Sequence, residues 1–267
     1  MDLVGFPSLH NVTFEPKVLE HFPPLMVDHH HVFIVITFYL VAIKVFGPWL
    51  MNDRKPLQLK KSLMVYNIFQ ILMNSHLLYL YSLIMGRRVV DFWGDVCHPA
   101  TTGVNKYDPK IQSIILEANY YYYINKIIDL LDTIFFTLRK KQSQITFLHL
   151  FHHTTMVFST WLSIIHIRDE VSVLFAGLNS TVHIVMYVYY LLSSLGPGMQ
   201  KYLWWKKYIT GLQIGQFLIA LSVLIKMKLI NCKNNQWFWL LWTCNLGVFL
   251  ALFLNFYVKS YIKKKQM

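Results

Sequence analysis

Seven runs of apolar residues follow one another along this chain, at about 31–51, 62–85, 113–138, 145–167, 171–195, 208–230 and 236–260. A helix needs roughly 20 such residues to cross a hydrocarbon core. The pattern therefore predicts an all-α membrane protein with seven transmembrane helices, in one domain covering 1–267. A segment of about 1–30 precedes the first span, and a tail of about 261–267 follows the last. The third run is the weakest, because Glu117, Lys126, Asp129 and Asp132 interrupt it. Only Arg168-Asp169-Glu170 separates the fourth and fifth, which predicts a tight antiparallel hairpin.

Composition agrees with lipid as the solvent. Hydrophobic residues make up 55% of the chain and charged residues 14%, against about 25% charged in a typical soluble domain. Mean hydropathy is +0.39. A net charge of +12 would suggest nucleic acid in a soluble protein. Here the basic residues sit in short clusters between apolar runs, so no nucleic-acid partner is expected.

Those clusters choose an orientation. One side collects Arg54, Lys55, Lys60, Lys61, Arg139, Lys140, Lys141, Lys201, Lys206, Lys207, Lys263, Lys264 and Lys265. The other holds Lys17, Arg87, Arg88, Lys106, Lys110, Arg168 and Lys233. The richer side is predicted to be cytosolic, with the C-terminus there and the N-terminus lumenal. Asn11-Val12-Thr13 is a glycosylation sequon usable only on the lumenal side. Lys264-Lys265-Gln266-Met267 resembles a dilysine retrieval signal and equally suits a positive-inside tail. The first residues lack a basic stretch followed by an apolar one, so no cleaved signal peptide is expected. Cys97 and Cys232 then fall in lumenal loops after spans two and six. That compartment is oxidising, and a disulfide between them is expected. Cys244 lies inside span seven, and no CxxC pair suggests zinc or redox chemistry.

Ionisable residues inside spans are costly and mark function by default. Span three carries Lys126, Asp129 and Asp132, each three apart and neighbours on one stripe. Taken alone, such a triad is also what an ordering ion pair looks like. Span four carries His149, His152 and His153, a pattern that puts three imidazoles on one face. Span five carries Asn179, His183, Tyr187 and Tyr190; span six carries Thr210, Gln213 and Gln216. Either stripe alone suits helix packing. All four stripes lie within roughly 20 Å of the cytosolic interface at 1.5 Å per residue. The shared depth predicts one polar chamber opening to the cytosol.

Histidines gathered on helices serve metal binding or nucleophilic and acid–base work. Di-iron oxygenases use similar boxes but need about eight ligands, and here the other histidines (His10, His21, His29, His30, His31, His76, His98, His166) repeat no such spacing. A mononuclear metal on the box and His183 stays open from the residues alone. A receptor or transporter would explain seven spans but not clustered histidines. A retinal pigment needs a lysine at the centre of the last span, and none is there.

Four motifs carry a closer resemblance: Lys126-x-x-Asp129-x-x-Asp132-Thr133, His149-x-x-His152-His153, His183-x-x-Met186-Tyr187-x-Tyr189-Tyr190 and Thr210-x-Leu212-Gln213-x-x-Gln216-Phe217. In order and spacing the chain resembles the very-long-chain fatty-acid elongase (ELO) family of the endoplasmic reticulum. It departs at Asp129, where the family usually has glutamate.

The resemblance implies six helices in a barrel around a closed-ended acyl tunnel, with a seventh alongside. It implies a 3-oxoacyl-CoA synthase joining acyl-CoA to malonyl-CoA, with release of carbon dioxide and CoA. No cofactor is expected beyond the thioester substrates, and other enzymes of the elongation cycle are expected partners. His152 is the expected nucleophile, with His149, His153 and His183 moving protons. Asn179, Gln213 and Tyr187 are expected to donate to oxyanions, with Gln216 and Tyr190 in support. Lys126, Asp129 and Asp132 would orient the histidines. Arg139, Lys140, Lys141, Lys201, Lys206 and Lys207 are available for CoA phosphates. In a rival ternary mechanism His152 acts only as a base.

Overall fold

The computed structural model describes residues 29–86, 97, 109–164, 170–232 and 236–262. The sequon at Asn11, the residues Lys17, Arg87, Arg88, Lys106, Arg168, Asp169 and Lys233, and the terminal Lys263-Lys264-Lys265 lie outside them. Among the described residues every regular element is helical. Helix α1, His29–Val41, runs through a π-helical turn, Ala42–Phe46, into α2, Gly47–Met51. Then come α3 (Lys60–Gly86), α4 (Pro109–Ile128), α5 (Leu131–Leu138), α6 (Phe147–Leu162), α7 (Glu170–Ser194), α8 (Lys206–Leu229) and α9 (Gln236–Tyr257).

Five helical stretches are long and apolar enough to cross a membrane: His30–Met51, Lys60–Met85, Val171–Ser194, Lys206–Leu229 and Trp239–Ile262. This is a multi-pass membrane protein. The two runs that do not qualify by this measure carry the charged triad and the histidine box. The same side chains that mark the chemistry lower the hydropathy.

The third run is not one continuous helix. It breaks at Asp129–Leu130, between α4 and α5. There the backbone takes short-range bonds, Leu130 N–H to Ile127 O, Asp132 N–H to Asp129 O and Thr133 N–H to Leu130 O, each 3.2 Å. Such i to i+3 bonding tightens the winding to about three residues per turn, so side chains three apart eclipse. Asp129 and Asp132 are brought into line by this turn.

Helix starts and stops follow local chemistry. The Thr146 hydroxyl caps α6 by accepting from the His149 N–H at 3.2 Å. Gly196, at φ 125°, takes a conformation closed to most side chains and ends the turn after α7 before Pro197. Gly47 lies so close to Thr137 of α5 that an added Cβ would collide with its side chain.

Neighbour relations run in a circle. Helix α3 packs on α4, α4 on α6, α6 on α9, α9 on α8, α8 on α7, and α7 back on α3. Helix α1 packs on α6 from outside that circle. The largest apolar cluster joins Leu77, Ile115, Met156, Phe175, Leu224 and Phe249, one from each of the six helices. Its other faces, such as Phe38, Val65, Leu72 and Ile225, are exposed apolar surface suited to lipid.

At the end of the helices away from the histidines, Cys97 and Cys232 form a disulfide. Cys97 is buried in the main apolar cluster, and Cys232 follows α8. A native crosslink of this kind contributes about 2–4 kcal/mol. Cys97→Ser, Cys232→Ser and the double variant should therefore lose the same amount, measured as thermal unfolding in detergent. Additive losses would mean that the two thiols act separately.

Candidate active site

The charged triad sits at the tightened turn. Lys126 Nζ donates to Asp129 Oδ2 at 2.9 Å, with both side chains almost fully buried. The ammonium also lies 4.9 Å from the centre of the Tyr122 ring. Asp129 Oδ2 is 3.7 Å from His183 Nδ1 of α7. The Tyr187 hydroxyl, one turn further along α7, reaches Asp129 Oδ1 at 3.0 Å and Asp132 Oδ2 at 2.9 Å. One phenol thus bridges two carboxylates that the tightened turn has aligned.

The network continues into α3. The Tyr66 hydroxyl is 3.3 Å from that of Tyr187, Gln70 Nε2 donates to Tyr66 at 3.3 Å, and Asn74 Nδ2 donates to Gln70 O at 2.8 Å. None of these three carries a site role in the sequence reading. Their signal was the stripe Asn67, Gln70 and Asn74, whose spacing of three and four sets amides on one face of an apolar helix.

Helix α6 delivers the histidine box. The ring centres of His149 and His153 are 4.3 Å apart, and those of His152 and His153 are 5.6 Å apart. His149 Nε2 pairs with Thr133 Oγ1 at 2.8 Å. His152 turns the other way, against Phe249 at 5.1 Å and Phe253 at 6.2 Å. Its ring makes no hydrogen bond to a described residue, so its nitrogens are free to meet a ligand. Among the described residues, no three His, Cys, Asp or Glu side chains converge to hold a metal ion.

His152 lines a narrow, partly open cavity whose interior admits a water-sized sphere over about 50 Å³. Asn119 and Tyr122 of α4, Asn179 of α7 and Gln216 of α8 share its polar end. Met156, Phe217 and Phe249 form apolar walls, and Ser163, Ser172 and Trp242 lie at the far end. From His152 to Ser163 is eleven residues of α6, or roughly 16 Å of helix. Tyr122 donates to Asn179 Oδ1 at 2.9 Å. The amide nitrogen of Asn179 is thereby left as the donor toward the cavity.

The structure sorts the other site residues. Gln216 lines the cavity; Gln213 instead approaches Met186 Sδ at 3.8 Å. Tyr187 has its hydroxyl on the two aspartates, and Tyr190 packs on it at 5.9 Å while itself partly exposed. Of the basic residues, Lys140 donates to Asn52 O at 3.2 Å. Lys201 and Lys207 lie over the rings of Tyr202 and Tyr208. Arg139 is half-buried, and Lys141 and Lys206 are exposed. All six lie at the histidine end of the helices, where α5 ends and α6 and α8 begin.

Helices, a buried charge network and a cavity shared by His152 and apolar side chains define a multi-pass membrane protein with a polar site inside its bundle. The chain belongs to the GNS1/SUR4 (ELO) family, whose model matches residues 24–267. It is 36% identical over 237 residues to the rat protein named very long chain fatty acid elongase 7, covering 88% of this chain and 82% of that one. Human very long chain fatty acid elongase 4 is 35% identical over 244 residues, covering 91% and 75%. Drosophila melanogaster very long chain fatty acid elongase 7 is 34% identical over 262 residues, covering 97% and 77%.

The buried pair yields a stability test. Lys126→Met strands the Asp129 carboxylate without its cation, which should cost about 3–5 kcal/mol. Lys126→Met/Asp129→Asn should recover much of that loss, read as thermal unfolding in detergent. A double variant as unstable as the single would show that the pair itself, rather than the stranded charge, holds the helices.

Proposed function

We propose that this protein is a fatty-acid elongase, specifically a 3-oxoacyl-CoA synthase that condenses long-chain acyl-CoA with malonyl-CoA. The observation that carries the reading is the cavity running from His152 to Trp242, in a chain whose relatives are named fatty acid elongases. In this reading seven spans form a single domain. Six of them close a barrel around an acyl tunnel, and the first stands alongside. The circular order of helix neighbours supports that arrangement.

The acyl tail enters the cavity and its carbonyl stops at His152. An imidazole nitrogen attacks the thioester carbon, the carbon–sulfur bond breaks, and CoA leaves with the proton that the imidazole gives up. The acyl group is now an acyl-imidazole. Malonyl-CoA loses carbon dioxide, and the electron pair of the broken bond becomes an enolate at its C2. That carbon attacks the acyl group, the carbon–nitrogen bond breaks with its pair returned to His152, and the ring regains the proton it lost to CoA by taking up one from solvent through the neighbouring imidazoles. The Asn179 amide and Gln216 face the cavity beside His152 and are placed to donate to the oxyanions. His149, His153 and His183 are the proton carriers, and Lys126, Asp129, Asp132 and Tyr187 hold His183 in place. Decarboxylation supplies the carbanion, so the reaction itself calls for no redox cofactor.

The CoA head, being anionic, stays at the histidine end among Arg139, Lys141 and Lys206, with Lys140, Lys201 and Lys207 nearby. That end faces the cytosol, so the N-terminus is lumenal and the C-terminus cytosolic, in the endoplasmic reticulum membrane. The partners are the reductases and dehydratase that process the 3-oxoacyl product.

Membranes containing the protein should incorporate labelled malonyl-CoA into 3-oxoacyl-CoA, and His152→Ala should abolish it. Acyl-CoA alone should release one equivalent of CoA and leave an acylated protein. No early CoA and no adduct would favour His152 as a base in a ternary complex.

Trp242→Ala opens the far end of the cavity and should shift products toward longer chains in an assay with acyl-CoAs of graded length. An unchanged product spectrum would place the closed end elsewhere.

A further inference from the structure

Helix α1 lies outside the circle of six helices, yet it reaches the histidine box. The Tyr39 hydroxyl, from α1, is 2.7 Å from Thr133 Oγ1, and Thr133 Oγ1 is 2.8 Å from His149 Nε2. Tyr39 and Thr133 are both buried, at 4% and 0% exposure. The chain of two hydrogen bonds spans three elements: α1, α5 and α6.

Counting protons fixes its direction. Each hydroxyl has one proton, and each hydrogen bond needs one. If His149 donated from Nε2, Thr133 would accept from it and donate to Tyr39. The phenol proton would then have no acceptor among the described residues; were Thr133 instead to accept from both neighbours, its own proton would have none, in a buried site where an unmade bond is costly. If Tyr39 donates to Thr133 and Thr133 donates to His149, every proton is used. Nε2 is then the acceptor, and the neutral imidazole holds its proton on Nδ1, the nitrogen on the other side of the ring. The neighbouring imidazole of His153 lies 4.3 Å away, ring centre to ring centre.

We infer that Tyr39 is a positioning residue: acting through Thr133, it holds His149 in the Nδ1–H tautomer. The helix outside the circle therefore sets the proton inventory of the active site. The inference about catalysis rests on the condensing-enzyme reading above; the inference about the tautomer does not. A fixed tautomer matters because an imidazole with its proton on the wrong nitrogen cannot give or take one where the reaction needs it. Backbone packing holds the relay in register. Gly47 lets α2 approach Thr137, one turn beyond Thr133, and the Thr137 hydroxyl in turn donates to Thr133 O at 2.9 Å.

The test uses the full chain in bilayers, with ring nitrogens of histidine labelled with nitrogen-15 and the His149 signals identified by their loss in His149→Gln. Solid-state NMR should show an unprotonated Nε2 and a protonated Nδ1 in the unaltered protein, and a mixture of tautomers in Tyr39→Phe. In the malonyl-CoA assay Tyr39→Phe should lower kcat about tenfold or more, with KM for both thioesters within about twofold. Thr133→Val should match it, the double variant should be no worse, and Thr133→Ser should restore activity. A protonated Nε2 in the unaltered protein overturns the inference, as does a Tyr39→Phe protein with unchanged tautomer. Independent, additive kcat losses from Tyr39→Phe and Thr133→Val would also overturn it. Should the unaltered protein fail to condense malonyl-CoA, the elongase reading falls, and the nitrogen shifts still decide on Tyr39.

Discussion

A buried ammonium is the constraint from which the rest follows. Lys126 is 2% exposed in a protein whose outer faces are apolar. Hydrocarbon cannot solvate it, so protein groups have to. Asp129 answers the charge, Tyr122 offers a ring face, and Tyr187 bridges to Asp132. Each added polar group brings its own unmet bonds, so the network spreads to Tyr66 and Gln70 on α3 and His183 on α7. Three helices are drawn to one place by the need to leave no polar atom facing lipid.

Local geometry makes that convergence workable. In a regular helix, side chains three apart diverge by a fraction of a turn. The short i to i+3 bonds at Asp129–Leu130 remove that divergence, and two carboxylates share one phenol. The restart at Leu131 also aims Thr133 at His149. A small defect in the backbone thus serves the charge network on one side and the histidine box on the other.

Much of this was legible in the residues. Five of the seven apolar runs coincide to within a few residues with helices long and apolar enough to cross a membrane, because lipid demands both length and uniformity. The triad, the box and His183 were found because ionisable groups stand out against an apolar background. The break in the third span was hidden, since no glycine or proline marks it; it arises from what Asp129 and Asp132 contact across the fold. Tyr39 and Tyr66 were hidden for another reason. A tyrosine in a membrane helix reads as packing or as interfacial belt until its partner is known. Gln213 and Gln216 share a stripe in sequence, and only the packing of α8 on α7 and α9 decides that Gln216 meets the cavity.

The crosslink between Cys97 and Cys232 bears on how the molecule moves. It ties Cys97, seated in the main apolar cluster, to Cys232 just beyond α8, at the end of the assembly opposite the histidines. A covalent tie keeps those two points from parting, while no such tie joins the described residues at the histidine end. On the condensing-enzyme reading, ligand and product would then share the rim that the crosslink leaves untied.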